Sequence, residues 1–274
     1  MLMKSLLKQL QCDMYACGRA GLPQEINCGG KSWQLETILK HDFFACTGRY
    51  HHAQTDEQLV LKISRLQSFL GIPCVWFGRF LRNREVKILK QLEDINQFPN
   101  VIKLYGRSGV VYRYIKGKTL DEDPSVPDDF FDQLRALLET IHQRNICYMD
   151  LNKRGNILIG QDGRPYVIDF QISLLLPAKW CKWLRNALQK EDLYHLLKYK
   201  RIFRLDLLNE QEHTHAKRPS FLIRLHRLIA RPFQKVRRSI LRLMYRKNIL
   251  HYDPTSNRSP ENDPRRFFAT KDNN

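Results

Sequence analysis

Tyr148-Met149-Asp150-Leu151-Asn152-Lys153-Arg154-Gly155-Asn156-Ile157-Leu158-Ile159, followed by Tyr166-Val167-Ile168-Asp169-Phe170, decides how the rest of this 274-residue chain is read. The stretch sets Asp150, Asn156 and Asp169 at the ends of short apolar β-like runs, where a sheet can hold them still. Phosphoryl transfer needs a triphosphate held, its charge neutralised and an acceptor hydroxyl aimed in line. A carboxylate at Asp150 can take the acceptor's proton. Asn156 and Asp169 offer hard oxygen atoms of the kind that Mg2+ prefers. Any one of these residues alone reads as ordinary turn chemistry; the trio, with the upstream residues below, points to catalysis.

Working outward, three β-like runs precede the stretch, at Trp33–Leu39, Ala45–Tyr50 and Gln58–Ile63, the last with Leu59, Leu61 and Ile63 in alternation. The pattern predicts a helix over Arg79–Glu93, with Leu81, Ile88 and Leu92 at helical spacing. Strands over Val101–Tyr105 and Val110–Ile115 complete a small α+β lobe. Gly117 and the acidic Asp121–Pro127 read as a linker. Another helix is expected from Asp128 to Gln143, with Phe130, Leu134, Leu137 and Ile141 on one face. Ile157–Ile159 and Tyr166–Ile168 form a hairpin, and beyond Pro177 the chain reads as helical until Asp253.

These motifs resemble the eukaryotic-like protein kinase superfamily, and within it the small bacterial lipopolysaccharide core kinases, such as those acting on 3-deoxy-manno-octulosonate. The resemblance covers Trp33 to Tyr199. It implies an α+β, two-lobed kinase-like fold with a small β-rich N-lobe and a helical C-lobe. Tyr148-Met149-Asp150 stands where the family has His-Arg-Asp, which makes Asp150 the catalytic base. Asn156 and Asp169, the latter in Asp169-Phe170-Gln171, match the metal-binding residues. Leu59-Val60-Leu61-Lys62 resembles the strand whose lysine meets the α- and β-phosphates of ATP, and Glu85, ahead of its rival Glu93, matches the helix glutamate that orients that lysine. Tyr112 to Gly117 resembles the hinge, where the backbone of Arg113–Ile115 meets adenine. ATP and Mg2+ are the implied cofactors.

The departures from the family are specific. The phosphate loop's glycines are all replaced in Leu39-Lys40-His41-Asp42-Phe43-Phe44-Ala45. There Lys40 supplies charge and Asp42 repels phosphate. Asn156 lies six positions after Asp150, one more than the family has. Gln171 replaces the glycine after Asp-Phe, and no Ala-Pro-Glu follows. The short segment beyond Ser173 lacks a long regulatory loop and favours a non-protein acceptor. Asp192 matches an aspartate that braces the catalytic loop.

Charge and cysteines bound the partners. Lys and Arg outnumber Asp and Glu by 46 to 28, and the span 179–247 alone holds 19 basic against 5 acidic residues. Arg224, Arg227, Arg231, Lys235, Arg238, Arg242 and Arg246 share one helical face and Leu225, Ile229, Val236, Ile240 and Leu243 another, with Pro232 expected to break the run into two helices. Such a face suits either an anionic membrane surface or the solvated side of a helix packed on the C-lobe. Without interleaved aromatics it does not read as a nucleic-acid binder. Seven cysteines in an irregular pattern argue against a disulfide framework or a zinc site, and the histidines show no metal-ligand spacing. The start of the chain lacks the apolar run of a secretory signal.

The expected organisation is an N-terminal extension (1–30), an N-lobe (31–116), a C-lobe (117–212), basic amphipathic helices (213–252) and a disordered tail (253–274). The expected protein is an Mg-ATP-dependent kinase. It would act on a sugar of an anionic glycolipid, the lipopolysaccharide inner core, at the inner face of the cytoplasmic membrane. A protein serine/threonine kinase and a pseudokinase that serves as a binding module stand as alternatives.

Overall fold

Alternating burial organises the first part of the chain into one antiparallel sheet. The computed structural model describes residues 13–210 except Arg19, Leu70, Asp123 and Pro124, together with Glu212, Ser239 and Arg246. Apart from Ser239 and Arg246, the basic helices and the tail expected from the sequence lie outside these residues. Two compact units are present. One holds the described residues up to Asn83 together with Val101–Tyr114; the other holds Arg84–Asn100 and the residues from Ile115 to Glu212.

In the first unit, β1 (Glu25–Cys28), β2 (Lys31–His41), β3 (Ala45–His51), β4 (Gln58–Ser64), β5 (Val101–Tyr105) and β6 (Gly109–Arg113) pair in the order β1-β2-β3-β4-β6-β5. Residues before Lys31 therefore enter the sheet. Asn27-Cys28 belongs to β1, and only Gly29-Gly30 make the turn. Ile26, Trp33, Tyr50, Leu61 and Val111 form the centre of the core. Leu22 packs onto the sheet over Gly48, where a Cβ would lie 2.5 Å from the leucine methyl. A side chain at that point of β3 would have to displace the methyls of Leu22 and Leu35. β6 stops at Arg113, two residues before the expected end at Ile115.

Helix α1 runs Val75–Lys90, with its residues to Asn83 in the first unit and the rest in the second. It starts four residues before the expected Arg79. Trp76 and Phe80 in its first turns are exposed, so the apolar periodicity that marks a helix is weak there.

The second unit is built on α2 (Phe130–Gln143) and α3 (Lys182–Phe203), with a two-stranded pair of β8 (Ile146–Cys147) and β11 (Leu174–Leu175). A three-stranded sheet joins β7 (Gly117–Thr119), β9 (Ile157–Gly160) and β10 (Pro165–Val167) in the order β10-β9-β7. Gly117, expected to open a linker, pairs with Gly160 in β9 instead, and a Cβ there would come within 2.4 Å of the Ile159 carbonyl oxygen. α2 buries Phe130, Phe131, Leu134, Leu138 and Ile141, so Leu138 rather than Leu137 completes its inner face. Each such side chain contributes about 1.5–3 kcal/mol on burial. Asn145, left-handed at φ 60°, ends the helix, and its N–H donates to the His142 carbonyl at 2.9 Å.

Candidate active site

β8 delivers the chain to Tyr148-Met149-Asp150 at the top of the second unit's core. Met149 adopts φ 68°, a left-handed conformation unfavourable for a residue with a side chain. Asp192, 1% exposed on α3, offsets that strain. Its carboxylate accepts the backbone N–H of Tyr148 at 2.9 Å and of Met149 at 2.8 Å. It also pairs with His142 Nε2 at 3.1 Å. One buried carboxylate thus holds the backbone N–H groups of the two residues before Asp150.

Asp150 is 4% exposed. Its Oδ2 accepts Lys153 Nζ at 2.7 Å and Asn156 Nδ2 at 2.9 Å, and Asn156 Nδ2 also lies 3.1 Å from the Asp150 carbonyl oxygen. The extra residue between Asp150 and Asn156 is absorbed by a short 3-10 turn, Arg154–Asn156. The N–H of Asn156 donates to the Lys153 carbonyl at 3.2 Å, and the N–H of Lys153 to that of Asp150 at 3.3 Å. The loop therefore closes on itself and returns Asn156 to Asp150. Burial pushes the Asp150 carboxyl above its ordinary range. The charge of Asp169 adds to that rise, while Lys153 and Asn156 oppose it. The result is a carboxylate that takes a proton more readily than an exposed one.

Asp169 also adopts a left-handed conformation, at φ 63°. Phe170 holds it there from the next position. The Phe170 ring lies 5.0 Å from that of Tyr148 and 5.5 Å from that of Phe98, both in edge-on contact. Tyr148 donates its hydroxyl to the Ile168 carbonyl, and Ser173 Oγ donates to the Tyr148 carbonyl at 2.9 Å. The N–H of Ile168 donates to the Asn156 carbonyl at 3.0 Å, which ties the two halves of the site together. Arg84, next to Glu85 on α1, donates to the Gln171 carbonyl.

The donor set fits Mg2+. With its amide nitrogen committed to Asp150, Asn156 has its amide oxygen as a hard ligand. The carboxylate of Asp169 is close enough to raise the pKa of Asp150, so a divalent cation would relieve repulsion between the buried Asp150 and the half-buried Asp169.

In the first unit, Lys62 lies in β4, 7% exposed, between Thr47 of β3 and Val110 of β6. Glu85, 2% exposed, belongs to the second unit. Leu39 and Lys40 lie in β2, Arg113 ends β6 with its side chain exposed, and Ile115 follows outside any strand. The turn after β2 is a self-capped loop. Asp42 Oδ1 accepts the N–H of Phe44 at 2.8 Å and of Ala45 at 2.9 Å, and Lys40 pairs with Asp42 at 2.9 Å. Burial raises the Asp42 carboxyl, but Lys40 and those two N–H groups outweigh it and hold it below the usual range. The fully buried Arg65 fastens the turn's tip. It donates to the Phe43 carbonyl at 2.9 Å, with its guanidinium 3.9 Å over the Phe43 ring.

Lys153, which pairs with Asp150, is not among the site residues expected from the sequence. Its charge, three positions after a candidate base, was the available signal. Nothing local in the sequence announced that Arg65 would be buried.

No family model matches the chain, and no curated protein matches it. Among solved structures, the Rio2 kinase–ADP/Mg2+–phosphoaspartate complex from Chaetomium thermophilum is similar over 68% of this chain and 59% of that one, at 17% identity and a TM-score of 0.50. A second Rio2 kinase structure from the same organism matches 62% of this chain and 58% of its own, at 18% identity and a TM-score of 0.49. The BubR1 kinase domain matches over 66% and 65%, at 14% identity and a TM-score of 0.48. The chain thus spans about three-fifths of the Rio2 chains. The likeness to the first of these structures shows a protein kinase-like α+β fold.

Proposed function

We propose that this protein is an ATP-dependent phosphotransferase that moves the γ-phosphoryl group to a hydroxyl. The observation that carries the reading is the buried Asp150 carboxylate, bonded to Lys153 and Asn156, with Asp169 close enough to raise its pKa. Asp150 would accept the acceptor's proton as the oxygen attacks, and Lys153 would balance the charge around it. Mg2+, held by Asn156 and Asp169, would neutralise the phosphates. The Rio2 structure contains ADP and Mg2+, which supports nucleotide and metal here. Lys62 and Glu85 keep the roles implied by the sequence resemblance. Leu39, Lys40, Arg113 and Ile115 remain the proposed nucleotide contacts.

For the acceptor, we propose a sugar of an anionic glycolipid, of the lipopolysaccharide inner-core type, met at the inner face of the cytoplasmic membrane. Two observations support it. The segment after Phe170 is short, passing through β11 to α3 without a long loop. At the start of α3, Trp180 and Trp183 are 82% and 70% exposed beside the exposed Lys179 and Lys182. Tryptophan with lysine suits an anionic lipid–water boundary. Purified protein with labelled ATP, Mg2+ and either lipopolysaccharide acceptor or mixed protein tests the reading. Label on the glycolipid supports it, and label on protein alone replaces it with the protein kinase reading.

One observation favours a second reading, a pseudokinase that binds without turnover. The N–H groups of Phe44 and Ala45 are capped by Asp42, and Lys40 is paired to the same carboxylate. A thermal shift with ATP and Mg2+, but no transfer to any acceptor, selects it.

A further inference from the structure

The cysteine pattern that argues against zinc in the sequence assembles differently in the fold. His41 and Cys46 are cross-strand partners in the register of β2 and β3, which puts their side chains on one face. Cys17 reaches the same face from the segment before β1. That segment is pinned by the N–H of Ala16 to the Asp42 carbonyl at 2.8 Å, and by the N–H of Leu66 to the Ala16 carbonyl at 2.9 Å. The N–H of Cys17 itself lies 3.3 Å from His41 Nε2. The thiols of Cys17 and Cys46 are hydrogen-bonded to each other. One ligand atom from each of the three residues lies within 4.8 Å of the others, and among the described residues no other group of this kind occurs.

We propose that Cys17, His41 and Cys46 bind Zn2+. Two sulfurs and an imidazole are a donor set for Zn2+, a borderline-soft ion with no geometric preference from d-electrons. With Zn–S bonds of about 2.3 Å, two tetrahedral thiolates stand about 3.8 Å apart, so the site needs to contract by about 1 Å at most. Charge favours it as well. Two thiolates cancel the charge of Zn2+, so a neutral complex suits the apolar core cluster to which Cys17 and Cys46 belong. Binding releases two thiol protons to solvent. The metal would join three separate pieces of chain beside the self-capped Asp42–Ala45 turn, and so hold the N-terminal segment to the loop that occupies the phosphate-loop position.

The test uses the full chain, purified with reductant, without chelator, and loaded with Zn2+. About one zinc per chain should survive gel filtration, and absorption fine structure should give Zn–S near ~2.3 Å and Zn–N near ~2.0–2.1 Å. Co2+ in its place should show thiolate-to-metal charge transfer and the visible bands of a tetrahedral site. Cys46→Ser and His41→Gln should each lose at least about tenfold in affinity, in keeping with removal of a metal ligand. Cys74→Ser, away from the cluster, should keep the metal. His41→Cys guards against misfolding, because a third thiolate should retain zinc and intensify the cobalt charge transfer. The proposal is overturned if loaded wild type holds no more zinc than Cys46→Ser. It is equally overturned if reduced, zinc-loaded protein carries Cys17 and Cys46 as a disulfide.

Discussion

Asn156 donates its side-chain amide to both oxygens that Asp150 presents to it, the backbone carbonyl at 3.1 Å and the carboxylate at 2.9 Å. One residue therefore shapes the loop and positions the base, while its amide oxygen serves the proposed metal. Asn156→Ala should lower turnover by about 10²-fold or more, on the scale of a lost positioned group. It should also raise the Mg2+ concentration needed for half-maximal rate. A variant with lower turnover but wild-type Mg2+ dependence would remove Asn156 from the metal and leave it a positioning residue.

Asp150 must be ionised to accept a proton, and its carboxyl is raised by burial first. The acid limb of kcat/KM should therefore lie above the ordinary aspartate range. Lys153 opposes the rise, so Lys153→Ala should move that limb to still higher pH. An acid limb that stays in place in Lys153→Ala would separate Lys153 from the base.

The same shift has a sign for stability. A carboxyl whose folded pKa is raised favours the fold while protonated. That contribution is complete below the unfolded-state value and is lost as pH rises through the folded value. An amide at this position loses nothing over the window. Relative to wild type, Asp150→Asn should thus melt higher at about pH 7.5 than at about pH 4. An offset that is equal at both would contradict the raised pKa.

Met149 and Asp192 form a strain-and-brace pair. Asp192→Ala leaves the buried N–H of Tyr148 and the partly buried N–H of Met149 unsatisfied and releases a left-handed residue. Loss of hydrogen bonds to a charged group costs about 1.5–3 kcal/mol each, so the melting temperature should fall by several degrees. Met149→Gly removes the steric penalty of φ 68° and should recover part of the loss in the double variant. Strictly additive effects of the two substitutions would show that they do not share this role.

The Asp42 turn makes a prediction about nucleotide. Asp42→Asn keeps an oxygen to cap Phe44 and Ala45 but removes the charge and releases Lys40. If the turn approaches phosphates, ATP affinity should rise by roughly tenfold, about 1.4 kcal/mol, in a calorimetric titration. Unchanged affinity would place the phosphates elsewhere.

Much of the fold was legible because strands announce themselves by a period of two. β2, β3 and β4 fall where Trp33, Tyr50, Leu59 and Leu61 alternate inward. What stayed hidden was set by partners distant in the sequence. β7 was missed because Gly117 signals a turn, and only the carbonyl of Ile159 shows that its missing Cβ serves a close strand approach. At the site, Asp150, Asn156 and Asp169 were visible from residue type and spacing. The closure of the longer loop by a 3-10 turn was not, because it depends on side-chain contacts back to Asp150. Cys17, His41 and Cys46 escaped for the same reason: strand register, rather than spacing along the chain, brings them together.

Phosphoryl transfer from γ-labelled ATP, with Mg2+ and lipopolysaccharide acceptor, compared between wild type and Asp150→Asn, tests the central claim most directly. Wild type should label the glycolipid, and Asp150→Asn should be slower by about 10²–10⁴-fold, the range for a lost general base. Equal rates in the two proteins, or no transfer by wild type to any hydroxyl while ATP binds, would contradict it.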